Sequence, residues 1–207
     1  MRVRNIIWDF DGTLFDTYPA IVAAFRQAVA ELGHEVEAAE VERLVKVSFT
    51  HILTVLGGRF GVEPEALGER FYAIYLAMPP ESQPPFPGAR EVCEAVVRHG
   101  GKNGIATHRR RGSLEALLEA HGMRHLFCAM VTHDDGLPRK PDPAQFATVA
   151  AQCGMRPEET LGVGDRALDI ESARAAGMRT CFFGPAPAPT AADLVISSLR
   201  ELLPLVE

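Results

Sequence analysis

Residues 3–8 run apolar, broken only by Arg4 and Asn5, and the chain turns polar at Asp9, with Gly12 close behind. Such a run predicts a buried central strand with polar groups at its C-terminal end. Ile21, Val22, Phe25, Val29 and Leu32 then recur at helical spacing, and Gly33 closes the pattern. Two further helical stretches are expected around residues 41–56 and 65–76, with Gly57-Gly58 as the break between them. Residues 78–88 hold five prolines. Proline fixes φ and removes a backbone donor, so this segment reads as a stiff linker.

Beyond the linker the pattern alternates. Helices are expected near 89–99, 114–120 and 169–176, and strands near 103–107, 127–131, 160–164 and 179–183. Another helix is expected to open with Asp142 as N-cap, Pro143 at its first position and Gln145 at its third, a variant of the capping box. The stretch 185–193 reads as loop, and 198–203 as a last short helix. Strands alternating with helices predict an α/β fold: a Rossmann-like parallel-sheet core with helices on both faces. The helix-only stretch interrupts it, which divides the chain into a core of residues 1–15 and 87–207 and an inserted all-helical cap of residues 16–86, with hinges near 15–17 and 84–88.

Composition narrows the field. Of 207 residues 47% are hydrophobic and 23% charged, and the formal charge is −6. Only Arg109, Arg110 and Arg111 cluster basic charge, so a nucleic-acid partner is not expected. No stretch approaches the length of a membrane span, and the N-terminus meets charge too early for a secretory leader. Cys93, Cys128, Cys153 and Cys181 form no C-x-x-C pair and read as reduced, mostly buried residues of a cytoplasmic protein.

Ligands of such sheets bind beyond the carboxyl ends of the strands. Four polar clusters stand there: Asp9 to Leu14, Thr107, Lys140, and Gly164-Asp165 with Asp169. Carboxylates gathered at one edge repel one another unless a hard cation joins them, and Mg2+ favours a few carboxylates, a carbonyl and water. Lys140 can neutralise a carboxylate and a phosphate oxygen, and Thr107 can donate a hydroxyl hydrogen bond. Asp9 and Asp11, one residue apart, suit a nucleophile and a proton carrier.

In this order the clusters resemble the haloacid dehalogenase superfamily, and its phosphoglycolate phosphatase and beta-phosphoglucomutase branch most. Asp9 to Thr13 matches D-x-D-G-T, Thr107 the second motif, Lys140 the third, and Gly164-Asp165-x-x-x-Asp169 the fourth. The resemblance implies an aspartyl-phosphate on Asp9 and general acid/base work by Asp11, whose backbone carbonyl would also meet Mg2+. Thr107 and Lys140 would hold the phosphoryl group, the amides of Phe10 to Gly12 would cradle it, and Asp9, Asp165 and Asp169 would ligate Mg2+. His108, next to Thr107, is a candidate substrate contact. The implied substrate is a small phosphorylated metabolite, selected by cap residues such as Lys46, Phe49 and His51; the oligomeric state stays open.

Each residue taken singly has a plainer explanation: a turn at Asp11-Gly12, a strand end at Thr107, a solvated charge at Lys140, a helix cap at Asp169. Arg109 to Arg111 read as a solvated helix-entry loop, Trp8 as core, and Asp16 and Thr17 as a cap for the first helix. Asp11 argues against dehalogenation and phosphonate cleavage, which need no proton on a leaving oxygen. A sugar phosphomutase shares all four motifs. Related mutases carry an arginine for the second phosphate where Lys46-Val47-Ser48-Phe49 places Phe49. A non-catalytic phosphate-binding module is the remaining alternative.

Overall fold

In the computed structural model, which describes residues 2–188 and 190–206, β1 (Asn5–Trp8) is buried at all its positions. Ile6 and Trp8 face one hydrophobic cluster and Ile7 another, as the two-residue period of a strand covered on both faces requires. The chain then forms α1 (Tyr18–Ala30), α2 (Ala38–Val47), α3 (Phe49–Phe60) and α4 (Pro64–Ala77), and returns through a proline-rich segment to α5 (Ala89–Arg98). There follow β2 (Asn103–Ala106), α6 (Arg111–Ala120), β3 (Phe127–Val131), α7 (Ala144–Cys153), β4 (Thr160–Gly164), α8 (Ala167–Ala175), β5 (Arg179–Phe183) and β6 (Leu194–Ile196).

The six strands are parallel, in the order β3-β2-β1-β4-β5-β6. From β1 the chain builds outward through β2 and β3, then crosses back to lay β4 on the other side of β1. This is the topological switch point at which such sheets open a crevice for ligands. One core joins Ile6, Trp8, Val92, Leu114, Leu117 and Leu199. The other joins Ile7, Phe146, Val149 and Ala173. Trp8 is fully buried, and its indole N–H donates to Asn103 Oδ1 at 3.1 Å.

Two compact units emerge: Met1–Asp16 with Pro84–Glu207, and Thr17–Gln83. The second has its own core, built on Phe25, Val29, Val41, Ile52, Leu56 and Phe71. Among the described residues no helix is long and apolar enough to cross a membrane.

Several local expectations need correction. Residues 41–56 form two helices, because Ser48 adopts an extended backbone and its Oγ accepts the His51 N–H, ending α2 and capping α3. Gly57-Gly58 lies inside α3. A Cβ on Gly57 would stand 2.6 Å from the Val62 carbonyl oxygen, so this glycine serves a close approach, and the helix ends at Gly61. Asp142 is not the residue that opens α7, although its Oδ1 accepts the Ala144 N–H; Pro143 is, and Gln145 is buried. β6 has only three residues, too few for its alternation to stand out after the proline-rich stretch. Within that stretch, Pro189 lies outside the described residues. Cys128 and Cys153 are not both reduced thiols: edge strand and helix end bring their Cα atoms to 5.8 Å and a disulfide joins them, whereas Cys93 and Cys181 are free and buried. A separation of 25 residues carries no sequence signature of such a pair.

Candidate active site

Strand register places the chemistry. Trp8 pairs with Ile105 of β2 and with Val163 of β4. Asp9, Thr107 and Asp165 therefore follow three adjacent strands at one edge of the sheet. The Asp9 N–H donates to the Val163 carbonyl at 2.8 Å, fixing the nucleophile candidate at the switch point.

Asp9 is 1% exposed. Its Oδ1 accepts from Lys140 Nζ at 2.6 Å, and the same ammonium donates to Asp169 Oδ1 at 2.8 Å. Burial, joined by the charges of Asp169 and Asp165, pushes the Asp9 carboxyl up to about 7, against the pull of Lys140 and Arg166. Asp169 moves the other way: burial works against its charge, but Lys140 and Arg166 outweigh it and hold the group below the usual carboxylate range. Burial likewise opposes the Lys140 ammonium, yet Asp169 and Asp9 together tighten its hold on the proton.

Oxygens of Asp9, Asp165 and Asp169 lie within 4.8 Å of one another. Thr13 Oγ1 donates to Asp165 Oδ1 at 3.1 Å. Asp169 reaches this cluster only because residue 164 is glycine: a Cβ there would stand 2.2 Å from Asp169 Cβ. Asp9 Oδ2 is buried with no hydrogen-bond partner. An all-oxygen donor set of three clustered carboxylates fits a hard divalent cation such as Mg2+. Asp169 also has the capping role that its position suggests, since its Oδ2 accepts the Arg166 N–H at 3.2 Å.

Thr107 Oγ1 accepts the Arg109 N–H at 3.1 Å, a bond that does not use its hydroxyl proton. His108 turns to the chain segment that carries Lys140: its Nε2 accepts the Lys140 backbone N–H at 3.1 Å, which puts the ring proton on Nδ1. Burial, helped by the charges of Lys140, Arg139 and Arg166, pushes this ring down to about 3. One of the expected cradle amides serves the fold. The Gly12 N–H donates to the Phe15 carbonyl at 2.9 Å, and the buried Phe10 ring stacks on Phe15.

The Asp11 side chain is not in the carboxylate trio. Its Oδ1 accepts from Arg109 Nη1 at 2.6 Å. Arg109 is no solvated charge: its side chain is 5% exposed, its guanidinium donates to Ser113 Oγ from both Nε and Nη2, and it lies 5.4 Å from the Phe10 ring centre. The nearest sequence signal for it is its place two residues after Thr107, where it re-enters the same strand end. Arg166 is a second residue that sequence reasoning passed over. Its Nε stands 3.6 Å from Asp169 Oδ2 and its Nη2 4.0 Å from Asp9 Oδ2.

The parallel sheet has a central strand that ends in an Asp-x-Asp pair, beside a lysine bridging two carboxylates. The chain belongs to the haloacid dehalogenase-like hydrolase family, matching it over residues 6–183. It is 33% identical to a phosphoglycolate phosphatase of Cereibacter sphaeroides over 189 residues, covering 86% of this chain and 84% of that one. It is 28% identical to the N-acetylmuramic acid 6-phosphate phosphatase of Pseudomonas aeruginosa, covering 100% of this chain and 96% of the relative. A solved hydrolase from Pseudomonas syringae superposes with a TM-score of 0.77 at 25% identity, over 97% of this chain and 96% of the other.

Proposed function

We propose that the chain is a Mg2+-dependent phosphatase that hydrolyses a small-molecule phosphomonoester through an aspartyl-phosphate on Asp9. One observation carries the reading: Asp9 is tethered at Oδ1 by Lys140, while Oδ2 stays buried without a hydrogen bond, beside two further carboxylates and 4.0 Å from the Arg166 guanidinium. A carboxylate anchored at one oxygen and open at the other is oriented for in-line attack.

In the first step Asp9 Oδ2 forms a bond to phosphorus as the ester P–O bond breaks, and Asp11 gives its proton to the departing alkoxide. In the second, Asp11 takes a proton from water, the water oxygen attacks phosphorus, and Asp9 leaves as a free carboxylate with inorganic phosphate. Lys140 Nζ and the Thr107 hydroxyl meet the phosphoryl oxygens as charge spreads over them. Asp9, Asp165 and Asp169, with the Asp11 carbonyl, would hold Mg2+, which supplies positive charge to the transferring group.

Phosphoglycolate and sugar 6-phosphates are the first substrates to try, since the relatives' names point there. The mutase alternative is weakened by Phe49, which packs its ring against Phe25, Phe71 and Tyr72. Lys46, which could have compensated, pairs with Glu42 at 2.7 Å.

The test is phosphate release from p-nitrophenyl phosphate, phosphoglycolate and a panel of sugar phosphates, with Mg2+ or with EDTA. Metal-dependent release that disappears in Asp9→Asn is expected. Release that survives either change, or none from the whole panel, overturns the reading.

A further inference from the structure

Arg166 stands at a helix position that seldom holds an arginine. It is the residue that opens α8, with an extended backbone (φ −127°, ψ 155°). That position favours Ser, Thr, Asp or Asn, whose side-chain oxygen accepts a helix N–H. A guanidinium accepts nothing, and here it makes no capping hydrogen bond. It also sets a positive charge at the positive end of the helix dipole.

Nor does the side chain run out into water. It is 18% exposed and folds back over the carboxylates. The arrangement complements that of Lys140. Lys140 holds Oδ1 of both Asp9 and Asp169, and Arg166 lies in ion-pair range of Oδ2 of the same two residues. On Asp9, that Oδ2 is the buried oxygen without a hydrogen-bond partner. The guanidinium therefore flanks the atom assigned to attack phosphorus, at 4.0 Å, beyond hydrogen-bond length.

We propose that Arg166 is a phosphate-binding residue of this site, whose guanidinium takes up a phosphoryl oxygen when the ester reaches Asp9 Oδ2. The assignment rests on the phosphatase reading above. A guanidinium presents paired N–H donors that match phosphate oxygens, and its charge complements a phosphate dianion arriving among carboxylates. It shares those carboxylates with any divalent cation they bind, so its removal should leave cation binding unharmed or tighter.

The test measures binding without turnover. Calorimetric titrations with Mg2+ alone, then with inorganic phosphate in the presence of Mg2+, compare the unaltered protein with Arg166→Gln and Arg166→Lys. Arg166→Gln is expected to bind phosphate roughly tenfold to a hundredfold more weakly, the loss of a charge-assisted contact. Its Mg2+ affinity should be equal or higher, and Arg166→Lys should recover part of the phosphate affinity. Phosphate binding by a folded Arg166→Gln within twofold of the unaltered protein would overturn the assignment. So would weaker Mg2+ binding by that variant, or no measurable phosphate binding by the unaltered protein. Failure of the unaltered protein to hydrolyse any ester would sink the phosphatase reading by itself, while these affinities still decide whether Arg166 grips phosphate.

Discussion

Replacing Lys140 by Met removes the ammonium that stands between Asp9 and Asp169 while keeping most of the volume. Both carboxylates are then left buried without their shared counter-charge. Breaking a buried pair in this way costs ~3–5 kcal/mol. The expected loss, read by urea unfolding of metal-free protein, is larger at pH 8 than at pH 5, because the Asp9 carboxyl, pushed up to about 7, takes a proton in the acid range. Equal stability of the two proteins at pH 8 would show that Lys140 does not carry this balance. His108 gives a pH dependence of definite sign. Its ring stays neutral in the folded chain, with a pKa pushed from 6.5 down to about 3. The stability it contributes is complete above pH 6.5 and is lost as the pH falls toward 3. The stability difference between the unaltered protein and His108→Asn should shrink by about 1.4 kcal/mol per pH unit across that window; a flat difference would contradict the burial seen here. At this scale the sequence shows which residue types line up but not which pairs meet. Asp9, Asp11, Thr107 and Asp165 stand out because they follow strand ends, and Lys140 and Asp169 through the motif spacing that resembles the family's. The Arg109–Asp11 pair joins residues 98 apart and leaves no periodic trace.

Helices and strands were legible wherever a long apolar stripe set the period. α1, α5 and β4 came out of the pattern because their buried faces are continuous. The division at Ser48 was hidden because α2 and α3 carry their apolar stripes on through it, and only the side-chain cap breaks the ladder. Glycine misleads for a related reason: Gly57 reads as a helix breaker, yet its missing Cβ makes room for the Val62 carbonyl. The disulfide is testable at this level. It closes a loop of 25 residues between β3 and the end of α7, a constraint worth roughly 3 kcal/mol on the unfolded chain. Calorimetry with a strong reductant should lower the melting temperature by roughly 6–12 °C. The double variant Cys128→Ser, Cys153→Ser should melt at that lower temperature whether or not reductant is present. A melting point indifferent to reductant would mean that the two sulfurs are not joined in solution.

For the whole molecule, the parallel sheet follows from the alternation of elements, but the strand order is not readable there. Nothing local says that β4 returns to the far side of β1. That return creates the carboxylate trio, so cation binding should report on the global fold. Excess Mg2+ at a hundred times its dissociation constant stabilises by ~2.7 kcal/mol. The melting temperature of the unaltered chain should rise by several degrees, and that of Asp165→Asn by much less; equal rises in both would place the cation elsewhere. The same topology has a bearing on synthesis. Asp9 is made early, yet its partners Lys140, Asp165 and Asp169 sit 131, 156 and 160 residues further along. A nascent chain leaving the ribosome carries Asp9 long before anything can balance or aim it. On the proposed mechanism, activity appears only once residue 169 has been made and β4 has docked beside β1.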